Sequence, residues 1–145
     1  MGGPGEIFTI ETVEPQQSLD ITAEVEGIVS RAGLDGGFCQ VMVLHSTAAV
    51  IVNENDDPNI GFDVIHALGR IVPTRNDWLH DRIDDNAHSH IKASLLGPSE
   101  LIAIRDGRLL LGKWQGVILL EFDGPRQRRV SVQFLPGVAA GVVSD

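Results

Sequence analysis

The run ELIAIRDGRLLLGKWQGVILLEFDGPRQRRVSVQF, residues 100–134, constrains the fold more than any other stretch. Two Asp-Gly pairs, Asp106-Gly107 and Asp123-Gly124, punctuate apolar, β-branched runs, which is the signature of tight hairpin turns. In the last run Val130, Val132 and Phe134 alternate with Arg129, Ser131 and Gln133, so one face is buried and the other wet. The expectation is a meander of antiparallel strands.

The preceding chain supplies the other elements. Residues 7–13 read as a strand with Ile7 and Thr9 on one face and Phe8 and Ile10 on the other, stopped by Pro15. Ile21, Val25, Ile28, Val29 and Ala32 follow a 3.6-residue period between a Ser18 or Asp20 cap and Gly33, which predicts a helix. FCQVMVLHSTAAVIVNEN predicts two β segments interrupted at His45-Ser46-Thr47. A second helix starts at Asp57-Pro58, carries Ile60, Val64, Ile65, Leu68 and Val72 on one face, and stops at Pro73. His66 lies on this helix and reads as a surface or packing residue. The fold class is therefore α+β: a mostly antiparallel sheet with about three helices, in a single domain over residues 1–145. At 43% hydrophobic, 145 residues suffice for one core.

Charge and cysteine usage narrow the function. A net charge of -9 repels a polyphosphate backbone, so no nucleic-acid partner is expected. The single cysteine, Cys39, excludes an internal disulfide framework and fits a reducing cytoplasm. The opening MGGPGEIF has neither a basic nor an apolar signal region, and no run approaches the ~18 apolar residues of a membrane span. The expectation is a cytoplasmic protein without a membrane partner.

Chemistry concentrates in WLHDRIDDNAHSHIKASLLGPS, residues 78–99, which holds His80, His88 and His90. Asp84, Asp85 and Asn86 are candidate helix caps, and Gly97-Pro98 is a stop. If the chain stays extended through His90, His88 and His90 share a face. If a helix starts near Ala87, then Ala87, Ile91 and Leu95 form its buried stripe, while His88 stacks over Lys92 and His90 over Ser94. Neutral imidazoles at pH 7 suit a metal ion or proton transfer. With one distant thiol, a metal site here would be open rather than a closed structural zinc site. The oxygens of residues 53–57 suit Mg²⁺ or simply make a turn. Lys92 and Lys113 read as solvated surface lysines, yet Lys92 near a helix N-terminus would also suit a phosphate. Trp114 and Gln115 read equally well as core packing and strand pairing.

HSTAAVIVNEN, WLHDRIDDNAHSHIKASLLGPS and LLLGKWQGVILLEFDGPRQRRV together resemble the signature blocks of the YjbQ-like family, known as secondary thiamine-phosphate synthase enzymes. The resemblance spans about residues 7–134. It implies a compact α+β subunit in a homotrimer, with a pocket of polar motif residues holding a metal or an anion. The implied activity joins a pyrimidine methyl diphosphate to a thiazole phosphate. The alternative is a non-catalytic protein that binds a metal or a phosphorylated metabolite. Matched by position, the implied catalytic residues are His45, His80, Asn86, His88, His90, Lys92 and Glu121. Ser46, Thr47, Ser94, Trp114 and Gln115 would contact the small phosphorylated substrate or cofactor, and His45, His80, His88 and His90 would ligate a divalent ion, Zn or Mg. Asn53, Glu54 and Asp81 also match. Two departures stand out: Ser46 where the family often has Thr, and Asp85 where it often has Gly.

Overall fold

The computed structural model describes residues 5–137. Twelve elements follow one another: β1 (Glu6–Glu11), β2 (Gln17–Asp20), α1 (Thr22–Ala32), β3 (Gly36–Val43), β4 (Ala48–Glu54), α2 (Pro58–Ile71), a 3-10 turn (Leu79–Arg82), α3 (Ala87–Leu96), β5 (Ser99–Arg105), β6 (Arg108–Leu109), β7 (Gln115–Glu121) and β8 (Gln127–Leu135). Every strand pairing is antiparallel. The α+β class holds, but the strands divide into two sheets, β1-β8-β3-β5-β6 and β2-β7-β4.

Two apolar layers explain the arrangement. Val25, Ile28 and Val29 of α1, Cys39, Val41 and Val43 of β3, and Val130 and Val132 of β8 meet Val50, Val117 and Leu119 from the smaller sheet. On that sheet's other face, Ala49, Ile118 and Leu120 pack with Leu68 of α2, Ala93 of α3 and Phe122. Alternate residues of β7 thus enter different cores, which is why GVILL is continuously apolar: both faces are covered.

That covering overturns the expected meander. β5 and β6 do form a hairpin, with Asp106 (φ 51°) and Gly107 (φ 75°) in its turn. The chain through Asp123-Gly124, however, leaves the small sheet and enters the large one, so β7 and β8 never pair. The loop between β1 and β2 crosses this corner closely. Gly124 N–H donates to Pro15 O at 3.0 Å, and a Cβ on Gly124 would lie 2.2 Å from Glu14 O.

The helices follow their sequence signals. Gly33 closes α1 at φ 65°, and Asp57 caps α2 by accepting Asn59 N–H at 2.9 Å. Ser18 and Asp20, expected only as caps, lie in β2, a four-residue strand too short and polar to stand out. Asp20 still accepts Thr22 N–H at 2.8 Å. Among the described residues no helix is long and apolar enough to cross a membrane.

Candidate functional site

The histidine stretch is shaped by its own polar residues. Trp78 Nε1 donates to Pro73 O at 3.0 Å, and Asp81 Oδ1 accepts Ala87 N–H at 2.9 Å. Asp81 therefore does the capping expected of Asp84 or Asp85, and Asn86 sits at the cap position without a side-chain cap bond. Asn86 instead donates to Asp123 Oδ2 at 2.9 Å, tying this loop to the corner after β7. Asp85 adopts φ 60°, the left-handed region where the family's glycine belongs; aspartate tolerates it, and Arg75 pairs with its carboxylate.

Because α3 begins at Ala87, the histidines separate. His80 and His90 meet edge to face with ring centroids 5.0 Å apart. His88 stacks over Lys92, as a helix start at Ala87 requires. The buried face of α3 is Ala87, His88, Ser89, Lys92 and Ala93, rather than the expected Ala87-Ile91-Leu95 stripe, and Leu95 is 60% exposed. Small Ser89 and Ala93 let this face approach β4 and Phe122, and Ser89 Oγ donates to Phe122 O at 2.6 Å.

Lys92 is the largest departure from expectation: it is 0% exposed. Its Nζ donates to Gln16 Oε1 at 3.1 Å and to His88 Nδ1 at 3.0 Å, and lies 6.0 Å from the centroid of the Phe122 ring. No carboxylate pairs with it among the described residues. Burial pulls its pKa below the ordinary lysine value. Nor is it a helix-terminus site, since Ala87 N–H is already spent on Asp81. Lys92 underlies a pocket of about 360 Å³ lined by Gln16, Ile65, His66, Arg70 and Thr74 among others. His66, read from the sequence as a surface or packing residue, belongs to this wall.

His88 is held neutral. Burial and the neighbouring Lys92 lower its pKa, against the opposing pull of Asp123 and Asp81. Its Nδ1 accepts from the ammonium, so the ring proton sits on Nε2, 3.4 Å from Ser89 Oγ.

A second polar cluster fills the corner between the sheets. Arg128 and Glu121, 1% and 0% exposed, form a two-pronged pair, with Nε to Oε2 at 2.7 Å and Nη2 to Oε1. Thr12 Oγ1 and Asp123 N–H also donate to the carboxylate, each at 2.9 Å. Burial pushes the Glu121 pKa up, and Arg128 with these donors more than reverses it. Asp123 behaves likewise, with burial outweighed by bonds from Asn86 and Arg126. Arg128 Nη2 reaches Thr47 Oγ1 at 2.7 Å, and Thr47 leans on His45. Of this cluster, sequence reasoning had picked Glu121, Thr47, His45 and Asn86. It missed Arg128 and Thr12, although both signals were present: Arg128 shares parity with Val130 and Val132, and Thr12 with Phe8 and Ile10, so both point inward.

Four further candidates lie outside these clusters and the His80–His90 pair. Ser46 is exposed, Ser94 Oγ donates to His90 O at 2.8 Å on an exposed face, and Trp114 is 51% exposed under Lys113. Gln115 accepts Gly112 N–H at 2.7 Å and starts β7, whose far end is Glu121, about 20 Å away at strand rise.

The four histidines do not fit one metal ion. The Nδ1 lone pairs of His45 and His88 are occupied by donors, and the His80 and His90 rings stand apart from both. Among the described residues no group of three His, Cys, Asp or Glu side chains is placed to hold a metal.

Residues 6–137 match the family described as UPF0047 protein YjbQ-like. A UPF0047 protein of Archaeoglobus fulgidus is 41% identical over 88% of this chain and 98% of its own length. YugU of Bacillus subtilis is 33% identical over 87% and 95%. Among solved structures, a YbjQ-like protein of unknown function from Sulfolobus solfataricus superposes with a TM-score of 0.86 at 35% identity, covering 90% of this chain and 94% of that one.

Proposed function

The chain belongs to the YjbQ-like family, and from that premise we propose that the pocket over Lys92 binds a phosphorylated small molecule. One observation carries the reading: a fully buried ammonium with no carboxylate partner beside a pocket that also holds Arg70 and Thr74. Burying a charge without a counter-charge is costly, and an incoming anion offsets that cost. Gln16 Oε1, 3.1 Å from Nζ, stands where a ligand oxygen would sit, and its side chain is only half-buried on the loop that crosses the corner.

The finer reading is a thiamine-phosphate-synthase-type transfer. A pyrimidine methyl diphosphate loses diphosphate, and the thiazole nitrogen bonds to the methylene carbon left behind. Such a step needs charge stabilisation on the leaving diphosphate, which Lys92 and Arg70 would supply, and no strong nucleophile from the protein. His88, whose Nδ1 lone pair accepts from Lys92, suits hydrogen bonding better than proton abstraction. A divalent ion would be held by His80 and His90, with its other ligands from the diphosphate or a neighbouring copy. We place the protein in the cytoplasm as a homotrimer; Leu79, 72% exposed and lining the same hollow as His80 and His90, supports a covered surface there.

Purified protein given both thiamine precursors tests the transfer. Diphosphate release above a protein-free control is expected, with a fall of about a hundredfold in Lys92→Met, equivalent to about 2.7 kcal/mol of transition-state stabilisation. Turnover equal to the control rejects transfer and leaves non-catalytic binding.

A further inference from the structure

We propose that Thr47, itself held by Arg128, fixes His45 in one tautomer, so that its Nε2–H forms a hydrogen-bond donor for an anionic oxygen at a point separate from Lys92. The hydrogen-bond donors around His45 fix the tautomer. Arg128 Nη2 can only donate, so at 2.7 Å Thr47 Oγ1 must accept. Its own proton is left free to point at His45 Nδ1, 3.0 Å away, and the backbone N–H of Thr47, which can only donate, decides that this nitrogen is an acceptor. Thr47 N–H points at the same nitrogen at 3.2 Å. Two donors on one ring nitrogen require an unprotonated Nδ1, which leaves the ring proton on Nε2. The surrounding charges agree: burial, then Arg128 and Arg126, disfavour the imidazolium, against Glu121 and Asp123.

The device is anchored from behind. Arg128 cannot turn away from Thr47 without breaking its bonds to Glu121, and Thr12 and Asp123 N–H fix that carboxylate in turn. A buried ion pair is weak as a source of stability, but it holds a geometry well. His45 itself is exposed in the loop between β3 and β4, and among the described residues nothing accepts its Nε2–H. A donor fixed before the ligand arrives need not reorganise on binding. The chemistry recognised is an acceptor oxygen on an anion, whether carboxylate or phosphate. It would also disfavour His45 as a metal ligand: coordination through Nε2 would move the proton to Nδ1, against two donors.

Long-range ¹H–¹⁵N spectra of the imidazoles in ¹⁵N-labelled protein at pH 7.5 read the tautomer directly. The expected result is Nε2–H for His45 in the wild type, a smaller Nε2–H share in Thr47→Val, whose backbone N–H still reaches Nδ1, and recovery in Thr47→Ser; a Thr47→Val ring as fully Nε2–H as the wild type overturns the role of the hydroxyl. An Nδ1–H wild-type ring overturns the proposal without any variant. The second arm titrates inorganic phosphate, or acetate, into Lys92→Met, where any response at Lys92 is absent. Movement of the His45 Nε2 signal with either anion supports the donor role, and the more effective anion names the class. Silence towards both overturns it, whatever the fate of the Lys92 pocket.

Discussion

Among the described residues two cationic side chains are fully buried, Arg128 and Lys92, and they are treated oppositely. Arg128 is met by a two-pronged carboxylate, and that carboxylate is itself saturated by Thr12 and a backbone N–H. Lys92, equally buried, is met only by an amide oxygen and an imidazole. A matched charge pair at the crossing between two sheets, in which Arg128 Nη1 alone finds no acceptor among the described residues, holds the corner in place, and its removal should be felt in stability. An ammonium left without its counter-charge is poised for one from outside, and its removal should be felt in binding.

The comparison breaks first at Glu121. Glu121→Ala strands a guanidinium in the corner, and urea unfolding is expected to show a loss of about 3–5 kcal/mol, the range for orphaning one member of a buried pair. Lys92→Met should change stability by no more than about 1 kcal/mol, because two hydrogen bonds are lost while an unmatched charge is no longer desolvated. If both substitutions destabilise alike, the distinction between the clusters fails.

A smaller effect lies in pH. His45 and His88 both have folded pKa values below the ordinary 6.5. The unfolded chain therefore takes up protons that the folded chain refuses, so the stabilising contribution is complete above pH 6.5 and lost as pH falls towards the folded values. Glu121 and Asp123, with lowered pKa values, lose their contribution only at more acid pH. Urea midpoints at pH 7.5 and 5.5 should differ less in His45→Asn/His88→Asn than in the wild type. An unchanged pH slope in that double variant would contradict the burial argument.

Most of the elements were legible because their signals are local. The 3.6 period of α1, the Asp57-Pro58 start of α2 and the alternation of β8 each report their own burial within a few residues. Sheet membership was not legible: GVILL says that β7 is covered on both faces, but nothing nearby says that the strand after Asp123-Gly124 joins another sheet. The same limit hid Lys92. Its burial comes from Gln16, 76 residues away, and from the choice of Ser89 and Ala93 as the docking face of α3 over Leu95. The histidines could be counted in the sequence, whereas their pairing depended on one helix start, which Asp81 sets from outside the helix.

The unmatched ammonium is the centre of the account, and calorimetric titration of inorganic diphosphate into wild type and Lys92→Met measures it most directly. Binding by the wild type is expected, with at least a tenfold weaker affinity in Lys92→Met, about 1.4 kcal/mol, and folding intact. Equal affinities in the two proteins, or no binding by the wild type, would contradict it.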